Sequence, residues 1–468
     1  MAVTADIGLI GLGTMGSALA LNIAENAVPI AVWNRTTATT HAFHAGAGEL
    51  APRITPCDTL ADLVAAIRPP RAIILMVSAG LSVDDQLASL APHLDADDLV
   101  IDAGNANLHD TNRRARASLP FRFLGMGVSG GEEGARHGPA IMGGGLREDW
   151  DRISPVLTAI AARYQDSPCA DWMGPEGAGH FVKTVHNGIE YADMQMIAEV
   201  YGIMRDGLGL DAAAIAGRFK QWNDGVLKSY LIEISAEVAA AKDPVTGTAM
   251  LDVILDKAGQ KGTGSWTAIE ALQLSAPIPV IEAAVAARNI SARLEERVAG
   301  EAVYGAAPER LPPGTLDATD LEAALIAGKI LCYAQGFAMT GAAGPAFGWD
   351  LQLPAIARVW RAGCIIRSAM LDDMATALAD DASRNLILAP VFAGHLRASL
   401  PSLRRVVAVA ALHGHALPAL SAGLFWFDAM RTARGTANMI QAQRDFFGAH
   451  GFQRLDGLDR PHGPWGHG

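Results

Sequence analysis

The chain has 468 residues, half of them hydrophobic, with 37 Lys and Arg against 49 Asp and Glu for a formal charge of −12. That length accommodates two or three domains with substantial cores, and the acidic balance speaks against a nucleic-acid footprint. No stretch approaches the ~20 uninterrupted apolar residues of a membrane span; the best candidate, Val406 to Phe427, is interrupted by His413, His415 and Pro418.

The N-terminus, "MAVTADIGLIGLG", passes straight into an apolar strand with neither a basic leader nor a cleavage site, so a cytoplasmic location is expected. Cys57, Cys169, Cys332 and Cys364 are scattered without CxxC or metal-type spacing and read as buried thiols of a reducing compartment. From residue 6 to about 178, short apolar runs alternate with helical patterns. "DIGLIGLG", "PIAVWNR", "RAIILMVS", "DDLVIDAGN" and "FRFLGMGVSGG" read as strands, and their alternation with helices predicts a parallel, doubly wound sheet.

The first turn carries G-x-G-x-x-G at Gly11, Gly13 and Gly16, after a strand and at the head of a helix. Glycine there lets the backbone turn sharply and approach a pyrophosphate at the helix N-terminus, which predicts dinucleotide binding. The second strand ends in Asn34, Arg35 and Thr36 rather than in the acid that would hydrogen-bond a ribose 2′-hydroxyl. An arginine and a hydroxyl suit a 2′-phosphate, which favours NADP. Two further loops stand at the carboxyl ends of strands: "IDAGN" with Asn105, and "GVSGGEEGARHGP" with Ser129, Gly130 and Gly131. The second offers a hydroxyl and approachable amides to a carboxylate or to hydroxyls; a tight turn needing glycine for backbone reasons reads equally well.

From Gly179 to about Arg434 helical periodicity takes over. In "GHFVKTVHNGIEYADMQ", Lys183, His186, Asn187 and Glu190 fall at i, i+3, i+4 and i+7, one stripe of a helix otherwise rich in packing residues. A solvated face is the ordinary explanation of such a run. "WNDGVLKSYL" from Trp222 resembles "WRAGCIIRSAML" from Trp360, a weak internal repeat. "DKAGQKGTGSWT" frames Lys261 and Thr263 with glycines and suits a phosphate, without Walker spacing. The chain closes in a segment whose last stretch, rich in Gly, Pro and His, reads as a tail.

The segments "GLGTMG", "NRTT", "DAGN", "VSGGEEGAR", "GHFVKTVHNGIEYADMQ", "DKAGQKGTGSWT", "YAQGF", "GCIIRS" and "IQAQRDFFGAH" together resemble the decarboxylating 6-phosphogluconate dehydrogenases, in order and over essentially the whole chain. The resemblance implies a Rossmann-like NADP-binding domain (1–178), a large all-helical substrate and dimerisation domain with a duplicated unit (179–434), and a tail (435–468) reaching into the partner of a homodimer. It implies no metal, and release of carbon dioxide and ribulose 5-phosphate from 6-phosphogluconate in the oxidative pentose phosphate pathway. Lys183 then matches the general base and Glu190 the general acid. Asn105, Ser129, Gly130, Gly131, His186 and Asn187 match the groups holding the sugar acid; Tyr191, Lys261 and Arg288 its phosphate site; Arg444 and His450 the residues lent by the neighbouring subunit. The cofactor would meet Gly11, Leu12, Gly13, Thr14, Met15 and Gly16, then Asn34, Arg35 and Thr36, then Val77, Ser78, Ala79 and Asn105.

In this scheme neutral Lys183, its pKa lowered by burial and by cations such as Lys261, removes the hydroxyl proton, and neutral Glu190 protonates the enediol. Three residues depart from the family pattern: Ser78 where a lysine is common, and Ala103 and Met126 where smaller residues are usual. The first removes a cation from the cofactor pocket; the other two are expected to crowd the nicotinamide side of the cleft. A non-decarboxylating β-hydroxyacid dehydrogenase shares the Gly-rich turn and the helix lysine but lacks the "GQKGTGSW" loop and the Arg444/His450 tail. An inactive NADP-binding paralogue is the reading that Ser78 and Met126 alone encourage.

Overall fold

The structure, a computed structural model, describes residues 4–260 and 262–465. The N-terminal unit is built on strands β1 (Ile7–Ile10), β2 (Ile30–Trp33), β3 (Ile54–Pro56), β4 (Ala72–Leu75), β5 (Leu99–Asp102), β6 (Arg122–Ser129) and β7 (Ala140–Gly143). A small hairpin follows, β8 (Arg163–Tyr164) with β9 (Ser167–Pro168), and then β10 (Ala170–Trp172). The main sheet has eight strands in the order β10-β7-β6-β5-β4-β1-β2-β3. β1, β4 and β5 are buried along their whole lengths, as strands covered on both faces must be.

The five strands legible in the sequence form the middle of this sheet and are parallel. The sheet is nonetheless mixed. β7 pairs antiparallel with β6, and β10 runs parallel to β7, so these two oppose the rest. β3, β7 and β10, three or four residues long, are not among the strands read from the sequence. Long-range partners create β7: Ala140 N–H donates to Gly363 O at 2.7 Å and Ile141 N–H to Cys169 O at 2.9 Å.

β1 has β2 on one side and β4 on the other. This is the switch point of the sheet, where the carboxyl ends of strands open a crevice. The register sets Ile10 beside Trp33 and Leu75, and Leu75 beside Asp102, so the turns after β1, β2, β4 and β5 emerge at one edge.

The helical unit centres on two long helices, Ala178–Gly202 and Ala318–Phe347. The second, not the Val406–Phe427 stretch, is the one described helix long and apolar enough to cross a membrane, with 83% of its most apolar window buried inside the protein. It is a core helix: Leu321, Leu325, Ile330, Leu331 and Phe337 pack with Val185, Ile189 and Met196 of the first. After each long helix the chain repeats a succession. Ala212–Trp222, the first tryptophan turn and Tyr230–Ala240 correspond to Leu353–Val359, the second turn and Met370–Asp380. The two turns meet: Ser229 and Ser368 form an antiparallel bridge, with Tyr230 N–H donating to Arg367 O and Ala369 N–H to Lys228 O. The weak repeat is thus a structural duplication whose halves pair.

Candidate active site

The Ala178–Gly202 helix lies against the β6 end of the sheet through residues without side chains. A Cβ on Gly127 would stand 2.4 Å from Lys183 Cβ, and one on Gly179 2.4 Å from Met142 O. This close approach points Lys183 at the Ser-Gly-Gly turn after β6. The stripe of the helix is not a solvated face. Lys183, His186 and Asn187 are 5%, 0% and 6% exposed, and the Glu190 side chain retains 23%.

Lys183 Nζ donates to Ser129 Oγ at 3.0 Å and lies 3.3 Å from His186 Nδ1; Ser129 Oγ is 3.1 Å from His186 Nε2, and His186 Nδ1 3.2 Å from Asn187 Oδ1. One hydrogen assignment satisfies the chain: Lys183 donates to Ser129, Ser129 O–H donates to His186 Nε2, and His186 Nδ1–H donates to the Asn187 carbonyl. It leaves the lone pair of a neutral Lys183 free. Glu190 Oε2 lies 3.8 Å from His186 Nδ1.

Burial pushes Lys183 down from the ordinary lysine range, partly opposed by Glu190, and pushes Glu190 up against the pull of Lys183 and Arg288. Burial also drives His186 well below the histidine range, with Lys183 adding to the effect, so it serves as a neutral imidazole. Desolvation, rather than a neighbouring cation, is the main cause of the lysine shift. Burial thus favours the neutral forms of an amine and a carboxylic acid seven residues apart on one rigid helix, an arrangement suited to acid–base chemistry.

The second tryptophan turn, whose role the sequence reading did not assign, forms the back of the site. Trp360 meets the His186 ring edge-on at 5.9 Å, and Cys364 is close enough to Lys183 to interact with its charge. Gly130, at φ +116°, fits against Gly363 O, where a Cβ would stand 2.7 Å away. The W-x-x-G repeat was the available signal for this wall.

On the next turn of the helix, Arg288 lies over the Tyr191 ring at 3.9 Å. The loop before Gly262 is tied to the same neighbourhood, with Gln260 Nε2 donating to Asn289 Oδ1 at 2.6 Å and Ala258 N–H to Ser291 Oγ at 3.1 Å. Tyr191, Arg288 and this loop therefore share one corner; Lys261 itself lies outside the described residues. Asn105 is exposed at the end of β5. Arg444 and His450 are not brought to Lys183 within the chain: Arg444 donates to Gln441, and His450 meets the Phe447 ring at 6.0 Å.

Gly11, Gly13, Asn34, Arg35, Thr36, Val77 and Ser78 line one cleft of about 280 Å³ at the switch point. A Cβ on Gly16 would stand 1.8 Å from Gly11 O, whereas Gly13 opens onto space with nothing within 4 Å, the cradle a pyrophosphate requires. Asn34 braces this turn, its Oδ1 accepting from Leu12 N–H at 3.1 Å. Arg35 and Thr36 are exposed at its mouth. Leu12, Thr14, Met15 and Ala79 flank the same two turns. Ala103 and Met126, 3% and 0% exposed, pack in the core of the sheet, and neither lines this cleft.

Comparison with known proteins agrees with this layout. Residues 6–174 match the family described as the NAD binding domain of 6-phosphogluconate dehydrogenase, and residues 179–465 its C-terminal domain. The decarboxylating 6-phosphogluconate dehydrogenase of Treponema pallidum is 45% identical, covering 97% of this chain and 94% of its own. Bacillus subtilis contributes an NADP-dependent relative and an NAD-dependent one, each 44% identical over 96% or more of this chain and 97% or more of its own. The solved 6-phosphogluconate dehydrogenase of Plasmodium falciparum, determined in apo form and with NADP+ or 6-phosphogluconate, superposes with a TM-score of 0.94 at 39% identity, covering 98% of this chain and all of that one.

Proposed function

This chain belongs to the 6-phosphogluconate dehydrogenase family, and on that premise we propose how its residues convert 6-phospho-D-gluconate to D-ribulose 5-phosphate and carbon dioxide, with NADP as oxidant, in the oxidative pentose phosphate pathway. The observation that carries the mechanism is the buried Lys183–Ser129–His186–Asn187 chain with Glu190 one turn on. NADP, when bound, supplies the hydride acceptor. The Gly11–Gly16 turn would hold its pyrophosphate, and Arg35 with Thr36 its 2′-phosphate. Overall identity does not separate NADP- from NAD-dependent relatives, so the charge of Arg35 supports the NADP reading.

Neutral Lys183 takes the proton from the substrate's C3 hydroxyl as hydride leaves that carbon. The product is a β-keto acid. The new Lys183 ammonium donates to its C3 oxygen and stabilises the enolate formed as the C1–C2 bond breaks and carbon dioxide departs. His186 and Asn187 orient this face. As the enolate forms, Lys183 gives its proton to that C3 oxygen, leaving an enediol and a neutral amine. Glu190, as the carboxylic acid, then protonates the former C2, which becomes C1 of ribulose 5-phosphate, while Lys183 takes the enediol O–H proton as the ketone forms. Exchange with solvent returns Lys183 to the amine and Glu190 to the acid. Asn105, Ser129 and the Gly130–Gly131 amides hold the sugar acid. Tyr191, Arg288 and Lys261 receive its phosphate.

A homodimer, in which Arg444 and His450 complete the neighbouring site, belongs to the same proposal; the exposed Met439, Ile440 and Phe447 on the tail helix support a role for it in packing against another subunit. A cytoplasmic location is proposed from the four cysteines, all free and buried.

Initial-rate assays at the reduced-nicotinamide absorbance band, with 6-phosphogluconate and trapped carbon dioxide, test the whole reading. One carbon dioxide per reduced cofactor with NADP preferred is the expected result. Preference for NAD would overturn the role of Arg35 and Thr36, and reduction without carbon dioxide would overturn the decarboxylation.

A further inference from the structure

We infer that Asp445 is a positioning residue for the reaction: it clasps the tail so that Arg444 and His450 are held in fixed relation, an assignment that rests on the tail reading above. The Ala437–Gly448 helix is exposed along most of its length, and Asp445, 1% exposed, is its one buried residue. A carboxylate leaves water at tolerable cost only where donors replace the water. Here four donors do so. Oδ1 accepts from Gly451 N–H at 2.9 Å and His462 Nδ1 at 2.7 Å. Oδ2 accepts from Gly463 N–H at 2.9 Å and Trp465 Nε1 at 2.6 Å.

These bonds fix the chain around His450. The helix ends at Ala449, which turns at φ +49° with its N–H donating to Asp445 O at 2.9 Å, and the carboxylate then catches Gly451. Gln441, one turn before Asp445, closes the same loop from the other side. Its Nε2 donates to Gly451 O, and its Oε1 accepts from Arg444 Nη1 at 3.2 Å. Arg444 and the residue next to His450 therefore share one amide. Neighbouring helix positions face different directions, so burying Asp445 leaves Arg444 outward, and Arg444 and His450 are both exposed. The buried bonds hold the backbone and leave these two side chains at the surface. A pair set in place beforehand meets an anionic substrate without the entropy cost of ordering the tail around it.

The test is steady-state kinetics of full-length variants with 6-phosphogluconate. Asp445→Ala should raise KM for the sugar acid about 10-fold with a smaller change in kcat, because the clasp acts on binding. Co-refolding with Lys183→Met chains separates the clasp from general damage. In a mixed dimer the Asp445→Ala chain supplies an intact lysine and the Lys183→Met chain supplies an intact tail to the same site, so a component with the wild-type KM should return. Asp445→Asn, of the same shape, gives the same readout if the alanine variant does not assemble. A wild-type KM in the variant alone would overturn the assignment. So would a raised KM that persists in mixed dimers, verified by mass, while the parallel mixture of His450→Ala with Lys183→Met recovers. No recovery in that parallel mixture would overturn the tail reading itself, and this assignment with it.

Discussion

At the scale of single residues, the site depends on two groups displaced in opposite directions by the same burial. Lys183 is lowered and Glu190 raised, each chiefly by desolvation. The proposed mechanism requires the amine neutral and the acid protonated. Activity therefore falls as pH drops below the lowered Lys183 value and falls again as pH climbs above the raised Glu190 value, which gives a bell in kcat/KM. Glu190→Gln should remove the alkaline limb and leave the acid limb; an unchanged alkaline limb would assign it to another group. Lys183→Met should cut reduction of the cofactor by roughly 1,000-fold or more while dinucleotide binding persists. Glu190→Ala should spare oxidation more than the final protonation, and wild-type turnover in that variant would remove Glu190 from the mechanism.

At the scale of elements, the Ala178–Gly202 helix is a rigid rail whose seating decides the geometry. Gly127 is the contact that sets its distance from β6. Gly127→Ala should press on Lys183 and lower kcat by about 10-fold or more, beyond any loss of thermal stability; a stability loss with normal kcat would show that the seat tolerates the shift. The far end of the same helix carries a second titrating group. The Glu199 carboxylate accepts from Ala419 N–H at 2.8 Å and Leu420 N–H at 3.0 Å, at the start of the Pro418–Met430 helix that leads to the tail. Burial raises its pKa to about 7 even so. An unfolded glutamate titrates near ~4.3, so the folded state holds the proton more tightly. Its contribution is fully present below that lower value and is lost as pH rises through about 7. Melting temperature should decline across this window, and Glu199→Gln should flatten the decline; an equal slope in the variant would place the dependence elsewhere.

At the scale of the whole molecule, the chain carries Lys183 and the tail residues Arg444 and His450 in places that do not meet. The tail closes on Asp445, which accepts from Gly451 and Gly463 N–H, His462 Nδ1 and Trp465 Nε1. If the tail serves the neighbouring subunit, co-refolded Lys183→Met and His450→Ala chains should recover activity, because one site in each mixed dimer then combines an intact lysine with an intact histidine. No recovery, in a mixture shown by mass to contain mixed dimers, would place the tail's action within its own chain. The sequence alone determined the parallel centre of the sheet, the Gly-rich cradle and the stripe of Lys183, His186, Asn187 and Glu190, because each is written in local spacing: period two, period 3.6, or glycine at a turn. Only tertiary structure decided the rest. β7 and β10 exist through partners far along the chain, Trp360 and Cys364 enter the site through a turn more than 150 residues after Lys183, and Met126 proved to be core because the face of β6 it occupies packs inward. Above all, whether the stripe was solvated or buried was decided by what the rest of the chain lays over the helix, which leaves no mark in the stripe itself.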